Sequence, residues 1–190
     1  MDHVELLEYS LTELRDQVVS LDDDDLNIAS NCAPWSVRQL SSHALNNQLL
    51  WAGLVTGNHT VSVEDTMGGV PIEGDLAPVA RDVCERSLTM WRTPAVLDAS
   101  HVTPFGDLPG SVVINFAIID ALCHAWDLGA STGRPIEFAA AQIPAISSVV
   151  DATCTDAVRE AGLIQGVPEL SADANDTERL MAQAGRALPR

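Results

Sequence analysis

The stretch "SVVINFAIIDALCHAWDLGASTG", Ser111–Gly133, decides the fold. It is apolar enough to be buried and long enough for about six turns of helix. Yet it places Asp120 and His124 four residues apart. A carboxylate does not sit on a buried helix face unless something there binds it. Residues four apart project from one face, a turn apart. That is also the spacing by which a helix offers two ligands to one metal ion. Gly133 supplies the left-handed cap that ends such a helix.

Working outward, the segment "NCAPWSVRQL" opens a second long helix, with Pro34 in its first turn. Val37, Leu40 and Ala44 carry the helical period on to Leu54, and Gly57 is the stop. His43 falls mid-helix. Ser36, Gln39, Asn46 and Asn47 lie at helical offsets from it and make a polar stripe beside the apolar one. A bundle that brings the two stripes together closes a site of two histidines and one carboxylate. Three protein ligands leave coordination positions open, as a catalytic metal requires. Two plainer readings stand beside this one. Asp120 and His124 can satisfy each other as a buried pair, and a lone His43 can be an ordinary surface histidine. The tryptophans Trp35, Trp51, Trp91 and Trp126 read as core anchors, Cys123 as a small buried residue on another face, and Asp127 as a structural group near the helix end or a partner of the ligands.

The remaining periodicity predicts more helix. Val4, Leu7, Leu11, Leu14 and Val18 define one from Asp2 to about Ser20, and Val79, Val83, Leu88 and Met90 another from Leu76 to Trp91, ended by Pro94. A fifth stretch, Glu137 to Ala161, is expected to bend or break at Pro144. A short helix in "NDTERLMAQAG" takes Asn175 or Asp176 as cap and Gly185 as stop. The four acids Asp22–Asp25 read as a solvated turn, and residues 58–75 as an exposed, mobile loop. "HVTPFGDLPGS" reads as a loop or short hairpin. The class is all-α: a four-helix bundle with additional short helices, one domain across residues 1–190.

Composition bounds the function. A net charge of −17 argues against nucleic acid, whose phosphates would be repelled. All ten cationic side chains are arginine, a usage that suits a GC-rich bacterial genome. No apolar run is read as long enough for a membrane span. Cys32, Cys84, Cys123 and Cys154 show no CxxC spacing and are expected as free thiols in a reducing cytoplasm.

At "APWSVRQLSSHA", "DALCHAWDLGASTG" and "ERLMAQAGRALP" the chain resembles the DinB-like metal-binding domain family, in the branch typified by the N-terminal domain of mycothiol-dependent maleylpyruvate isomerase. The resemblance covers nearly the whole chain, and "HAWDL" followed by Thr-Gly is its most specific part. It implies that His43, Asp120 and His124 hold a divalent ion, zinc first among the choices. It also implies mycothiol as the thiol cosubstrate. Two departures are visible. The carboxylate is Asp120 where the isomerase pattern has the longer Glu, and the separate C-terminal domain of the isomerase has no counterpart in these residues.

The sequence is therefore expected to encode a metal-dependent enzyme that activates a low-molecular-weight thiol for S-transfer to, or isomerisation of, a small electrophile. Asn46, Asn47 and Gln39 are expected to line the pocket or orient ligands, while the catalytic residues are not identified. Expected partners are the thiol and the electrophile, with a homodimer allowed for, and neither nucleic acid nor membrane. A metal-free bundle that binds a small molecule or protein, and a metal-dependent hydrolase using the same three residues, are the alternatives.

Overall fold

The computed structural model describes residues 1–187; the last two residues of the "ERLMAQAGRALP" motif lie outside them. Four long helices form the bundle: α1 (His3–Val19), α3 (Val37–Thr56), α5 (Leu76–Trp91) and α6 (Gly110–Ser131). Each packs on two neighbours, so the ring runs α1, α6, α3, α5 and back to α1. The residues that carry the apolar period meet in the middle. Leu7, Leu14, Leu40, Leu45, Ile114, Ile118 and Leu122 are fully buried there, with Trp91 and Trp126 as the largest side chains. At roughly 25 cal/mol per Å² of apolar area removed from water, this core is the main source of stability.

α6 is the central helix. By length and composition it could cross a membrane, contrary to the reading that no run is long enough, but 78% of its apolar window is buried inside the bundle. Its C-terminus is a Schellman turn. Gly133 takes φ 68°, its N–H donates to the Ala130 carbonyl, and Arg134 N–H donates to the Gly129 carbonyl. At the other end, a Cβ on Gly110 would sit 2.0 Å from the Val96 carbonyl oxygen, so only glycine lets α6 start against that loop.

The structure corrects several local expectations. Asp22–Asp25 is not a bare turn: Asp22 caps a one-turn helix, α2 (Asp23–Leu26), in a capping box closed by Asp25. α3 starts at Val37, after Pro34, because Ser36 and Gln39 form a capping box that fixes the first turn there. The segment 58–75 contains a short helix, α4 (Val63–Met67), and is tied down by Arg38 to the carbonyls of Ile72 and Gly74 and by Ser42 to Ile72 N–H. "HVTPFGDLPGS" is a hairpin, β1 (Ser100–Thr103) with β2 (Gly106–Pro109), antiparallel and pairing His101 with Leu108. Pro144 does not break a helix but begins one, in the first turn of α7 (Ile143–Thr153), where its missing N–H has no intrahelical partner to lose. The break falls instead at Thr155, which caps α8 (Asp156–Glu160). Asn175 caps α9 (Asp176–Gln183). α7 packs against both α6 and α9.

Candidate metal centre

α3 and α6 run antiparallel, and their facing stripes meet rung by rung. The rings of His43 and His124 stand edge to face with centroids 4.9 Å apart. One turn further along α3, Asn47 donates to Asp120 Oδ1 at 2.6 Å. One turn beyond that, Trp51 stacks on Phe116 at 5.3 Å. The spacings of four residues on each helix produce this ladder directly. His43, Asp120 and His124 thereby bring one ligand atom each to within 4.8 Å of one another. His43 and His124 are buried and Asp120 is nearly so. Surface grooves lie elsewhere, between α1 and α5 and beside Arg38 and Asp75.

Hydrogen bonds fix each of the three side chains. His43 Nδ1 lies 2.8 Å from the Thr66 carbonyl, which can only accept, so Nδ1 carries the proton and Nε2 keeps a free lone pair. His124 Nδ1 faces Asp127 Oδ2 at 3.2 Å, and its Nε2 faces Asp120 Oδ1 at 3.4 Å. A histidine ligand whose second nitrogen is fixed by a carbonyl or carboxylate is the usual arrangement around bound metals. Asp120 is itself fixed on both oxygens, by Asn47 and by Gln48 Nε2 at 3.0 Å. Its shorter arm is no obstacle: the 3.4 Å edge to His124 suits two ligands sharing one ion at about 2.0–2.2 Å. The donor set, two imidazoles and one carboxylate, fits a borderline divalent ion such as zinc.

The electrostatics without an ion follow from the same contacts. Burial favours the neutral ring of His124, but the Asp120 charge and the hydrogen bonds to Asp120 and Asp127 outweigh it and hold its pKa well above the ordinary imidazole value. Burial raises the Asp120 pKa, and the charges of His124 and His43 with the hydrogen bonds from His124 and Asn47 together outweigh it and lower it. His43 is pushed down, by burial first and by the neighbouring His124 charge second. The carboxylates on either side of His124 thus favour its charged form.

Of the expected pocket residues, Asn47 sits in the cluster. Asn46 is half-buried, three residues on from His43. Gln39 spends its side-chain carbonyl on the Ser36 N–H, as a helix cap. Trp35 is more than a core anchor: its ring lies 4.6 Å from that of His43 and covers it. Gly69, at φ 62°, presses against Trp35 so closely that a Cβ would lie 2.6 Å from the indole nitrogen.

Sequence reasoning missed Gln48, Thr66, Cys32 and Arg186, and undervalued Asp127. Asp127 is fully buried and accepts from Asn31 Nδ2 at 3.2 Å and from the Cys32 thiol at 3.1 Å, and Arg186 Nε lies 3.4 Å away. Burial raises its pKa, and the Arg186 charge, the His124 hydrogen bond and charge, and the Cys32 hydrogen bond together more than reverse this. The i, i+3 spacing from His124 was the available signal for Asp127. Arg186 arrives by a second Schellman turn, in which Gly185 takes φ 79° and Arg186 N–H donates to the Met181 carbonyl.

Fold and cluster together define a DinB-like helical bundle. Residues 7–129 match the family described as the mycothiol maleylpyruvate isomerase N-terminal domain, and the chain belongs to that family. The match runs from α1 into the last turn of α6 and includes His43, Asp120 and His124. Among solved structures, a mycothiol-dependent maleylpyruvate isomerase superposes with a TM-score of 0.61 at 18% identity, covering 78% of this chain and 68% of the other. A histidine-to-alanine mutant of such an isomerase gives 0.60 at 17% identity, with the same coverage. Curated relatives include uncharacterized proteins from two strains of Mycobacterium tuberculosis, each 29% identical over 116 residues, or 58% of this chain. The chain matches 57% of the length of those relatives.

Proposed function

We propose that this protein is a metal-dependent enzyme of thiol chemistry, using a divalent ion, zinc first among the choices, and a low-molecular-weight thiol of the mycothiol type. One observation carries the reading: three ligand atoms converge, and the second nitrogen of each imidazole is already held by a carbonyl or a carboxylate. A hydrogen-bonded pair alone would not need His43 fixed in the tautomer that leaves Nε2 free. The family and the solved neighbours, which are mycothiol-dependent maleylpyruvate isomerases, support the choice of thiol.

His43 and His124 supply neutral nitrogens through Nε2, and Asp120 supplies the charge that partly neutralises the ion. Thr66 and Asp127 hold the two tautomers, while Asn47 and Gln48 hold the carboxylate. A divalent ion bound there lowers the pKa of a thiol and makes it a nucleophile near neutral pH. Trp35 packs over the His43 ring. The thiol would attack a small electrophile, giving S-transfer or a thiol-assisted isomerisation. The free state of Cys32, Cys84, Cys123 and Cys154 is in keeping with a reducing cytoplasm.

The test is metal analysis of untagged protein followed by a screen of small electrophiles with and without thiol. The reading expects close to one equivalent of zinc and turnover only with thiol. Turnover without thiol would assign a hydrolase, and protein that takes up no metal would leave the metal-free binding bundle.

A further inference from the structure

Asp127 sits at the centre of a second cluster, on the far side of His124 from Asp120. The Cys32 thiol lies 3.1 Å from Asp127 Oδ2, and His124 Nδ1 lies 3.2 Å from the same oxygen. One ligand atom each from Cys32, His124 and Asp127 falls within 4.8 Å of the others. The two contacts to Asp127 are slightly shorter than the roughly 3.4–3.6 Å edges of a tetrahedral site with metal–sulfur bonds of about 2.3 Å and metal–nitrogen and metal–oxygen bonds of about 2.0–2.2 Å, so the three atoms need part by only a few tenths of an ångström to seat an ion. Cys32 is partly exposed, so the cluster is reached from the loop that precedes α3.

We propose that Cys32, Asp127 and Nδ1 of His124 form a second cation position that captures thiophilic ions such as Cd²⁺, in competition with the ion held through Nε2 of the same histidine.

Two features set the selectivity. Arg186 Nε lies 3.4 Å from the Asp127 oxygen the ion would use. Its permanent charge opposes any cation held by electrostatics alone, which excludes hard ions such as Mg²⁺ and Ca²⁺. An ion that forms a strong bond to thiolate sulfur overcomes that opposition. The Arg186 side chain is 27% exposed, so part of it already meets solvent. The competition follows from the ring. A neutral imidazole has one free lone pair. When the ion takes Nδ1, the Cys32 thiol proton and the Nδ1 proton leave to solvent, and the remaining proton sits on Nε2 and donates to Asp120. The first position then loses one of its histidines. Thiophilic ions are in this way expected to act as inhibitors that bind beside the working site.

The experiment is a Cd²⁺ titration monitored by the ultraviolet thiolate-to-cadmium charge-transfer band. It is run on wild type, His43→Ala and Cys32→Ser, with circular dichroism as the check of fold. The proposal expects the band in wild type and in His43→Ala, where only the first position is damaged, and its loss in Cys32→Ser. A missing band in His43→Ala, or a band that persists in Cys32→Ser, overturns it. A second measurement needs no variant. Cd²⁺ should protect Cys32 of the wild-type chain from alkylation as read by mass spectrometry, and an unprotected Cys32 contradicts the site. Failure of the first metal position would show instead as absent zinc binding with the cadmium band intact, so the two claims fail separately.

Discussion

Two carboxylates, Asp127 fully buried and Asp120 nearly so, touch His124, and they are expected to fail differently. Asp120 faces Nε2 and is placed to ligate, whereas Asp127 faces Nδ1 and is placed to orient the ring. Asp127→Asn should therefore cost about 10–100-fold in zinc affinity, the range of an orienting partner. Asp120→Asn removes a charged ligand and should cost more than that, as read in a chelator competition on both variants. Asp120→Glu must fit a methylene between Asn47 and Gln48, which already grip the carboxylate, and should bind zinc less tightly than wild type. Proton linkage gives a second check. The pKa of His124 is raised in the ion-free fold, so its pairing with the carboxylates stabilises the protein fully below about pH 6.5. That contribution is lost as pH rises through the raised value. An ion at Nε2 needs that proton gone. Zinc binding at neutral pH should then release a proton from His124, and affinity should climb with pH until the raised pKa is passed. Calorimetry in buffers of different ionisation enthalpy reads the proton directly; binding without proton release would show that His124 is already neutral.

At the scale of elements, the site depends on where α3 starts. Ser36 caps it and Gln39 closes the box, which sets the register of His43 and Asn47 against α6. Ser36→Ala should destabilise the fold by about 1 kcal/mol in urea melts, the usual cost of a lost N-cap. The same scale explains what could be read in advance. α1, α3, α5 and α6 were legible because each keeps a long apolar period, and the pair Asp120 and His124 was legible because it interrupts one. α4 was not: five residues with little periodicity form a helix because Ser62 caps them and segment 58–75 is anchored by Arg38 and Ser42. Thr66, whose carbonyl orients His43, was hidden for the same reason, since any residue offers a carbonyl. Cys32 and Arg186 were invisible because they reach Asp127 through a loop and a terminal turn, and neither contact has a sequence spacing.

For the whole molecule, the core and the candidate metal centre are built from different side chains. The core is made by fully buried aliphatic and tryptophan side chains on α1, α3, α5 and α6, and the cluster occupies one stretch of the α3–α6 seam. Ile118, fully buried on α6, should cost about 2–5 kcal/mol when cut to alanine, with no change in zinc stoichiometry. His124→Ala should show the reverse, with zinc lost and helical circular dichroism kept. Chelation of the wild type should likewise leave helicity intact; unfolding on chelation would make the ion structural and remove the basis for open, catalytic coordination. At the candidate metal centre, one ion is expected between His43, Asp120 and His124. A crystal structure of zinc-loaded protein, with anomalous data collected across the zinc edge, tests it most directly. The expected result is an anomalous peak about 2.0–2.2 Å from Nε2 of His43, Nε2 of His124 and a carboxylate oxygen of Asp120. A zinc peak elsewhere, or none in zinc-saturated crystals with His124 still bridging Asp120 and Asp127, would contradict it.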